Sequence, residues 1–340
     1  MPMNLPEIDT ILHSGALAYG RWGKEYESRL RTYIGIENLM TTNSYAMAIQ
    51  IALTILGLKR GDEVIASPMS CLASNQPLLT FGLKIRWCDI DVKSGTLSPE
   101  SVRHSISSKT KLIFHNHFCG YIGYVDEINE IGKEYGIPVI DDCIEAFGSK
   151  YKGNLAGNMG TDITIFSFQT VRLPNTIDGG ALIVKDKELY SKALLARDFG
   201  IRRSSFRDDN GEISPLCDIS TPGFAGAMSE MNSYIGCKQI EELPDLVCKQ
   251  KLNAKKWNEK LNYFKLNHRD EIEPNYWVYG ILSDNKISDM LKFRKQGFYA
   301  SGVHLPNNFY SVFGDKVQLS GVNEFNNKFI ALPCGWWFDM

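Results

Sequence analysis

The sequence predicts an α/β protein built on a mostly parallel sheet, and three observations carry that prediction. Between Val64 and Tyr135, strand-like and helix-like segments alternate, which is the pattern of βαβ units. The stretch 137–184 then holds three apolar, β-rich runs, at residues 137–140, 163–168 and 181–184, bounded by Gly and Asp as buried strands usually are. The first run ends on an acidic pair, Asp141 and Asp142. Open α/β sheets receive ligands at the carboxyl ends of their strands, so this pair marks an edge where a site belongs.

The other elements follow in chain order. Gly20 and Gly23 precede an amphipathic helix on which Tyr26, Leu30 and Tyr33 share a face, with Gly35 as its C-terminal cap. This opening segment reads as an N-terminal arm packed on a neighbour. From Thr41 to Val64, Ala46, Ile49, Leu53 and Leu56 mark one helical face, Gly57 ends it, and Ser44 is placed to cap its start. Strands are expected at 64–67, 85–91 and 111–118. His115 and His117 lie on one face of the last of these. Two His so spaced could ligate a metal, but the sequence offers no third ligand beside them, so they read as structural or pocket histidines and no metal is assigned. Helices are expected at 125–135, 185–199, 246–264 and 287–296, a strand at 276–282, and a polar surface loop at 203–222.

Composition narrows the class. A chain of 340 residues exceeds the usual single core, so one large and one smaller domain are expected. Hydrophobic content of 44%, charged content of 22% and a formal charge of −2 fit a globular protein without the basic field that nucleic acid demands. No apolar run reaches the roughly 18 residues of a membrane span, and the N-terminus lacks the order of a signal peptide. The eight Cys are scattered without a C-x-x-C pair, as buried thiols in a reducing cytoplasm would be.

Within this frame the chain resembles the DegT/DnrJ family of pyridoxal-phosphate-dependent sugar aminotransferases, of fold type I. Members carry an Asp at a strand end, then a strand with Phe-Ser-Phe, a short turn to a Lys, and a Gly-Gly-Ala strand. Here these are Asp142, Ser167-Phe168, Arg172 at the Lys position, and Gly179-Gly180. The segment from Gly223 is similar to the family's Gly-Tyr-Asn-x-Arg-Met-Ser-Glu. Met228, Ser229 and Glu230 match, while Ala225 and Ala227 stand at the Asn and Arg positions. The segments around His304 and Trp336 match the family's last motifs loosely. The resemblance implies a three-layer α/β/α large domain with a seven-stranded, mostly parallel sheet over residues 1–244, arm included, and a smaller α+β domain over 245–340. It also implies a homodimer, a nucleotide-linked keto-sugar of cell-surface polysaccharide biosynthesis, and pyridoxal phosphate or pyridoxamine phosphate as cofactor.

What the resemblance implies for the site is mixed. Ser44, Tyr45 and Ala46 fall where the family has Ser-Gly-Thr around the cofactor phosphate. Cys71 falls where an aromatic stacks on the ring. Asp142 is placed to pair with the pyridine nitrogen, Ser167 to donate to the phosphate, and Glu145 replaces a Gln or His beside the ring. Transamination needs a Lys amine for the Schiff base and proton transfers. Arg stays protonated and is no nucleophile, and no Lys lies between Lys152 and Lys185. Arg172 calls for an acidic partner, namely Glu145, Asp142 or an anionic ligand group. Two functions remain open. One is an aminotransferase-like enzyme with a remodelled cofactor site. The other is a catalytically silent homologue that binds a sugar nucleotide or a partner subunit.

Overall fold

The computed structural model of the chain describes residues 5–266 and 269–338. One sheet holds seven strands: β1 Leu39–Thr42, β2 Glu63–Ala66, β3 Lys84–Trp87, β4 Thr110–Asn116, β5 Val139–Cys143, β6 Ile163–Ser167 and β7 Gly180–Val184. Their order is β1-β7-β6-β5-β4-β2-β3, and only β7 runs against the rest. The three runs of 137–184 are β5, β6 and β7, and the predicted seven-stranded, mostly parallel sheet is the one found.

Helices cover both faces, which is why the central strands read as continuous apolar runs and not as alternating ones. Ile163 and Ile165 of β6 join the cluster of helices Tyr45–Ile55 and Lys187–Arg197, while Phe166 joins that of helices Arg21–Ile34 and Glu230–Lys260. Strand β1 was not expected, because Leu-Met-Thr-Thr is short and half polar. Burial of its threonines is made tolerable by hydrogen bonds. Thr41 N–H and Oγ1–H donate to Glu27 Oε1 at 2.9 and 3.0 Å, and Arg197 Nη1 donates to the same oxygen at 2.5 Å and to Thr41 O at 2.9 Å.

The helix Glu230–Lys260 is continuous over 31 residues. The sequence reading placed a junction at Pro244, but a proline removes one N–H···O=C bond and leaves the helix intact where packing holds it. Leu243, Leu246 and Val247 around it are all buried. The expected division between 244 and 245 therefore falls inside this helix. Beyond it, β8 Phe264–Lys265, β9 Tyr279–Leu282 and β10 Phe329–Leu332 form a small antiparallel sheet with helices Lys286–Lys295 and Ser320–Lys328 nearby. Among the described residues no helix is long and apolar enough to cross a membrane.

Glu230 has a second task. Helix Arg21–Ile34 starts after Gly20, which offers no side chain to cap it. The Glu230 carboxylate accepts instead from the N–H groups of Gly20, Trp22 and Gly23 at 2.8, 3.0 and 3.0 Å. Glu230→Ala orphans those donors, and the expected result in urea unfolding is a loss of about 3 kcal/mol. A loss under about 1 kcal/mol, the size of an ordinary cap, would show that water replaces the carboxylate.

Candidate functional site

Strands β1, β4, β5 and β6 end at the same edge of the sheet, and helix Tyr45–Ile55 begins there. Parallel register sets Asn116 of β4 directly beside Asp142 of β5. The chain itself engages both Asp142 oxygens. Tyr45 Oη–H donates to Oδ1 at 2.5 Å, Ile144 N–H donates to the same oxygen at 3.1 Å, and Asn116 Nδ2–H donates to Oδ2 at 2.7 Å. Burial pushes the Asp142 carboxyl up, against the lowering effect of these donors and of Ser74. Burial, and then the charge of Asp142, push the Tyr45 phenol well above its ordinary value.

A second buried group lies beside it. Arg172 Nη1 is 3.2 Å from Glu145 Oε1, and both side chains are almost wholly buried. Of the acidic partners expected for Arg172, Glu145 is the one it meets, while Asp142 belongs to Tyr45. His304 Nε2 is 3.1 Å from the same Glu145 oxygen, and Cys119 N–H donates to Oε2 at 2.9 Å. Burial opposes ionisation of Glu145, but Arg172, then His304 and the Cys119 amide, outweigh it and hold the carboxyl low. The guanidinium lies over the Trp277 ring, 4.8 Å from its centroid, a cation–π contact. Arg172 Nε is buried without a hydrogen-bond partner. The residue lines a cavity of about 630 Å³ whose walls include Trp277, Tyr299, Ser301, Trp336 and Trp337.

The remaining sequence-selected residues sit nearby in lesser roles. Ser44 caps helix Tyr45–Ile55, its Oγ accepting from Met47 N–H at 3.1 Å. Ala46 is exposed on the first turn. Ser167 ends β6, and its Oγ accepts a long bond of 3.4 Å from Gln169 N–H. Cys71 precedes helix Leu72–Phe81, half-buried, its thiol pushed up by burial and then by Glu145.

The sequence showed no third group beside His115 and His117; the fold supplies one, Asp141. Their ligand atoms all lie within 4.8 Å of one another. Asp141 is hydrogen-bonded to His115 and Thr161, while the Nε2 atoms of His115 and His117 are buried without a hydrogen-bond partner. Gly123 N–H donates to His117 Nδ1 at 3.1 Å, which leaves the proton on Nε2, 3.4 Å from Asp141 Oδ1. His115 Nδ1–H donates to that same oxygen at 3.2 Å, and Thr161 Oγ1–H donates to Oδ2 at 2.6 Å.

Asn116, Cys119 and Trp277 escaped the sequence reading, and His304 entered it only as part of a motif. Each acquires its role from a partner far along the chain, and no local pattern announces that.

A three-layer fold with polar side chains gathered at the carboxyl edge of a seven-stranded sheet defines a fold type I, aminotransferase-like protein. The chain belongs to the DegT/DnrJ/EryC1/StrS aminotransferase family, whose model matches residues 3–335. It is 26% identical to AtS13 from Actinomadura melliaura, with a TM-score of 0.90 over 99% of this chain and 93% of that one. The putative sugar aminotransferase Spr1654 from Streptococcus pneumoniae, solved in its PMP form, shares the fold. Its TM-score is 0.85 at 22% identity, covering 100% of this chain and 93% of that chain. Uncharacterized protein MJ1066 from Methanocaldococcus jannaschii is 29% identical over 254 residues, which is 75% of this chain and 66% of that relative's length.

Proposed function

We propose that this chain binds a nucleotide-linked sugar on a sugar aminotransferase scaffold and does not transaminate through a Schiff base. The observation that carries the reading is Arg172 seated against Glu145 and Trp277, where transamination requires a free amine. On this reading Arg172 stands at the family's Lys position. The residues present do not fit pyridoxal phosphate held in the family manner. Asp142 already accepts from Tyr45, Glu145 sets a carboxylate beside the ring, and Cys71 offers no stacking surface.

The ligand class follows from the family and from the cavity beside Arg172. Its volume suits a nucleotide-sized ligand, its Trp and Tyr side chains offer stacking faces for a base, and Arg172 on its wall brings a guanidinium suited to a phosphate. The setting is cell-surface polysaccharide biosynthesis in the cytoplasm, and the working form is a homodimer. The exposed apolar side chains of Phe199, Ile213, Leu216 and Ile219 favour a partner surface there.

Titration with UDP-glucose and dTDP-glucose is expected to quench tryptophan fluorescence saturably for at least one of them. Arg172→Lys, incubated with pyridoxal phosphate and then borohydride, is expected to gain no rapid stoichiometric label at residue 172. Such a label together with recovered amino transfer would overturn the reading, because one residue would then separate the chain from an ordinary transaminase.

A further inference from the structure

We propose that Tyr45 is a built-in occupant of the cofactor place, its phenol standing where a pyridine ring would present its N–H to Asp142. The inference deepens the reading above and rests on its placement of Asp142. It makes exclusion of the cofactor an act of one side chain, separate from the absence of a Lys.

The geometry has three parts. Tyr45 is the first residue of helix Tyr45–Ile55, directly after the capping Ser44, so its backbone lies at the edge of the sheet where strands and helix start converge. Its side chain does not point to solvent, and the residue is 5% exposed. The ring joins the apolar cluster under helices Tyr45–Ile55 and Leu72–Phe81, and the hydroxyl reaches Asp142 Oδ1 at 2.5 Å, with Ser74 Oγ at 3.4 Å.

The chemistry agrees. A buried carboxylate needs donors or a cation. A protonated pyridine would supply both at once, and it would pull the carboxyl down. Here every donor is neutral: a phenol, a side-chain amide and a backbone amide. Burial pushes the Asp142 carboxyl up, and these neutral donors, which pull the other way, do not outweigh it. A second donor ring cannot reach Oδ1 without displacing the first, since that oxygen already accepts from Tyr45 and from Ile144 N–H.

The test uses pyridoxamine 5′-phosphate, which needs no Lys to bind, titrated by calorimetry into the full chain, Tyr45→Gly, Tyr45→Ala and Tyr45→Phe. Tyr45→Ala keeps helix propensity and carries the test if Tyr45→Gly does not fold, as judged by thermal unfolding and gel filtration. The opened variants are expected to bind at least roughly tenfold more tightly than the unaltered chain. Tyr45→Phe, which keeps the ring, is expected to gain nothing. Inorganic phosphate as a control is expected to bind all four alike, so that any gain belongs to the ring. Equal pyridoxamine phosphate binding by the unaltered chain and the opened variants would overturn the proposal, and so would folded variants that gain none. The same four proteins titrated with UDP-glucose and dTDP-glucose separate the two readings. Loss of the sugar-nucleotide result with a gain in the opened variants leaves Tyr45 as the occupant and removes only the ligand assignment.

Discussion

Arg172→Ala is expected to destabilise the protein at pH 7 by about 3–5 kcal/mol, because it leaves Glu145 ionised, buried and without its main counter-charge. Arg172→Ala combined with Glu145→Gln is expected to recover most of that loss, since the double variant buries no net charge. The effect has a definite pH dependence. In the native chain the Glu145 carboxyl lies below its unfolded value. Its contribution is therefore complete above about pH 4 and is lost as pH falls through the folded value. Without Arg172, burial raises the folded value above the unfolded one, so the variant regains ground on acidification. The gap between the two proteins should be widest at neutral pH and close towards about pH 4. Denaturant unfolding at several pH values measures it. A gap that does not change with pH would mean that lost packing on Trp277, and not charge, is what Arg172 contributes.

Asp141→Asn carries the second large effect. Its carboxylate is wholly buried and accepts from His115 and Thr161, with His117 Nε2 3.4 Å from Oδ1. Burial opposes its ionisation, but the two imidazoles beside it prevail and hold the carboxyl well below the usual range. Burial also holds His115 below the ordinary imidazole value. The two groups predict an acid limb in two steps. Below about pH 6.5 the unfolded chain takes up a proton that buried His115 refuses, and below about pH 4 it takes up one that Asp141 refuses. Each proton favours the unfolded state. Asp141→Asn is expected to cost about 3 kcal/mol at pH 7, to remove the lower step and to keep the upper one. An unchanged lower step would assign it to other carboxyls.

The fold was legible wherever a local signal sufficed. Gly35 does end its helix in a left-handed conformation, with φ of 80°, and Ser44 does cap its own. The Gly- and Asp-bounded runs of 137–184 are central strands. Strand β1 was hidden because its four residues owe their place to Glu27 and Arg197, the latter 156 residues away from Thr41. The site was half legible for the same reason. The strand-end position drew Asp142 out of the sequence, and the family resemblance drew out Glu145 and Arg172. They could not say that Asp142 would go to Tyr45 across 97 residues, or that His304 would share Glu145 across 159. That Tyr45 falls at a family Gly position was visible; its hydroxyl as a hydrogen-bond donor to Asp142 was not.

The unbroken helix Glu230–Lys260 acts as an axle. At 1.5 Å per residue it is a rod about 46 Å long, fastened by Glu230 to the helix Arg21–Ile34 at one end and by Trp257 to the aromatic core of the small sheet at the other. Swinging the small sheet away from the large one would mean bending that rod or pulling an anchor. The cavity beside Arg172 therefore keeps its outline with the frame, and the exposed Tyr299 and Trp337 on its wall are the side chains free to turn there, within nanoseconds.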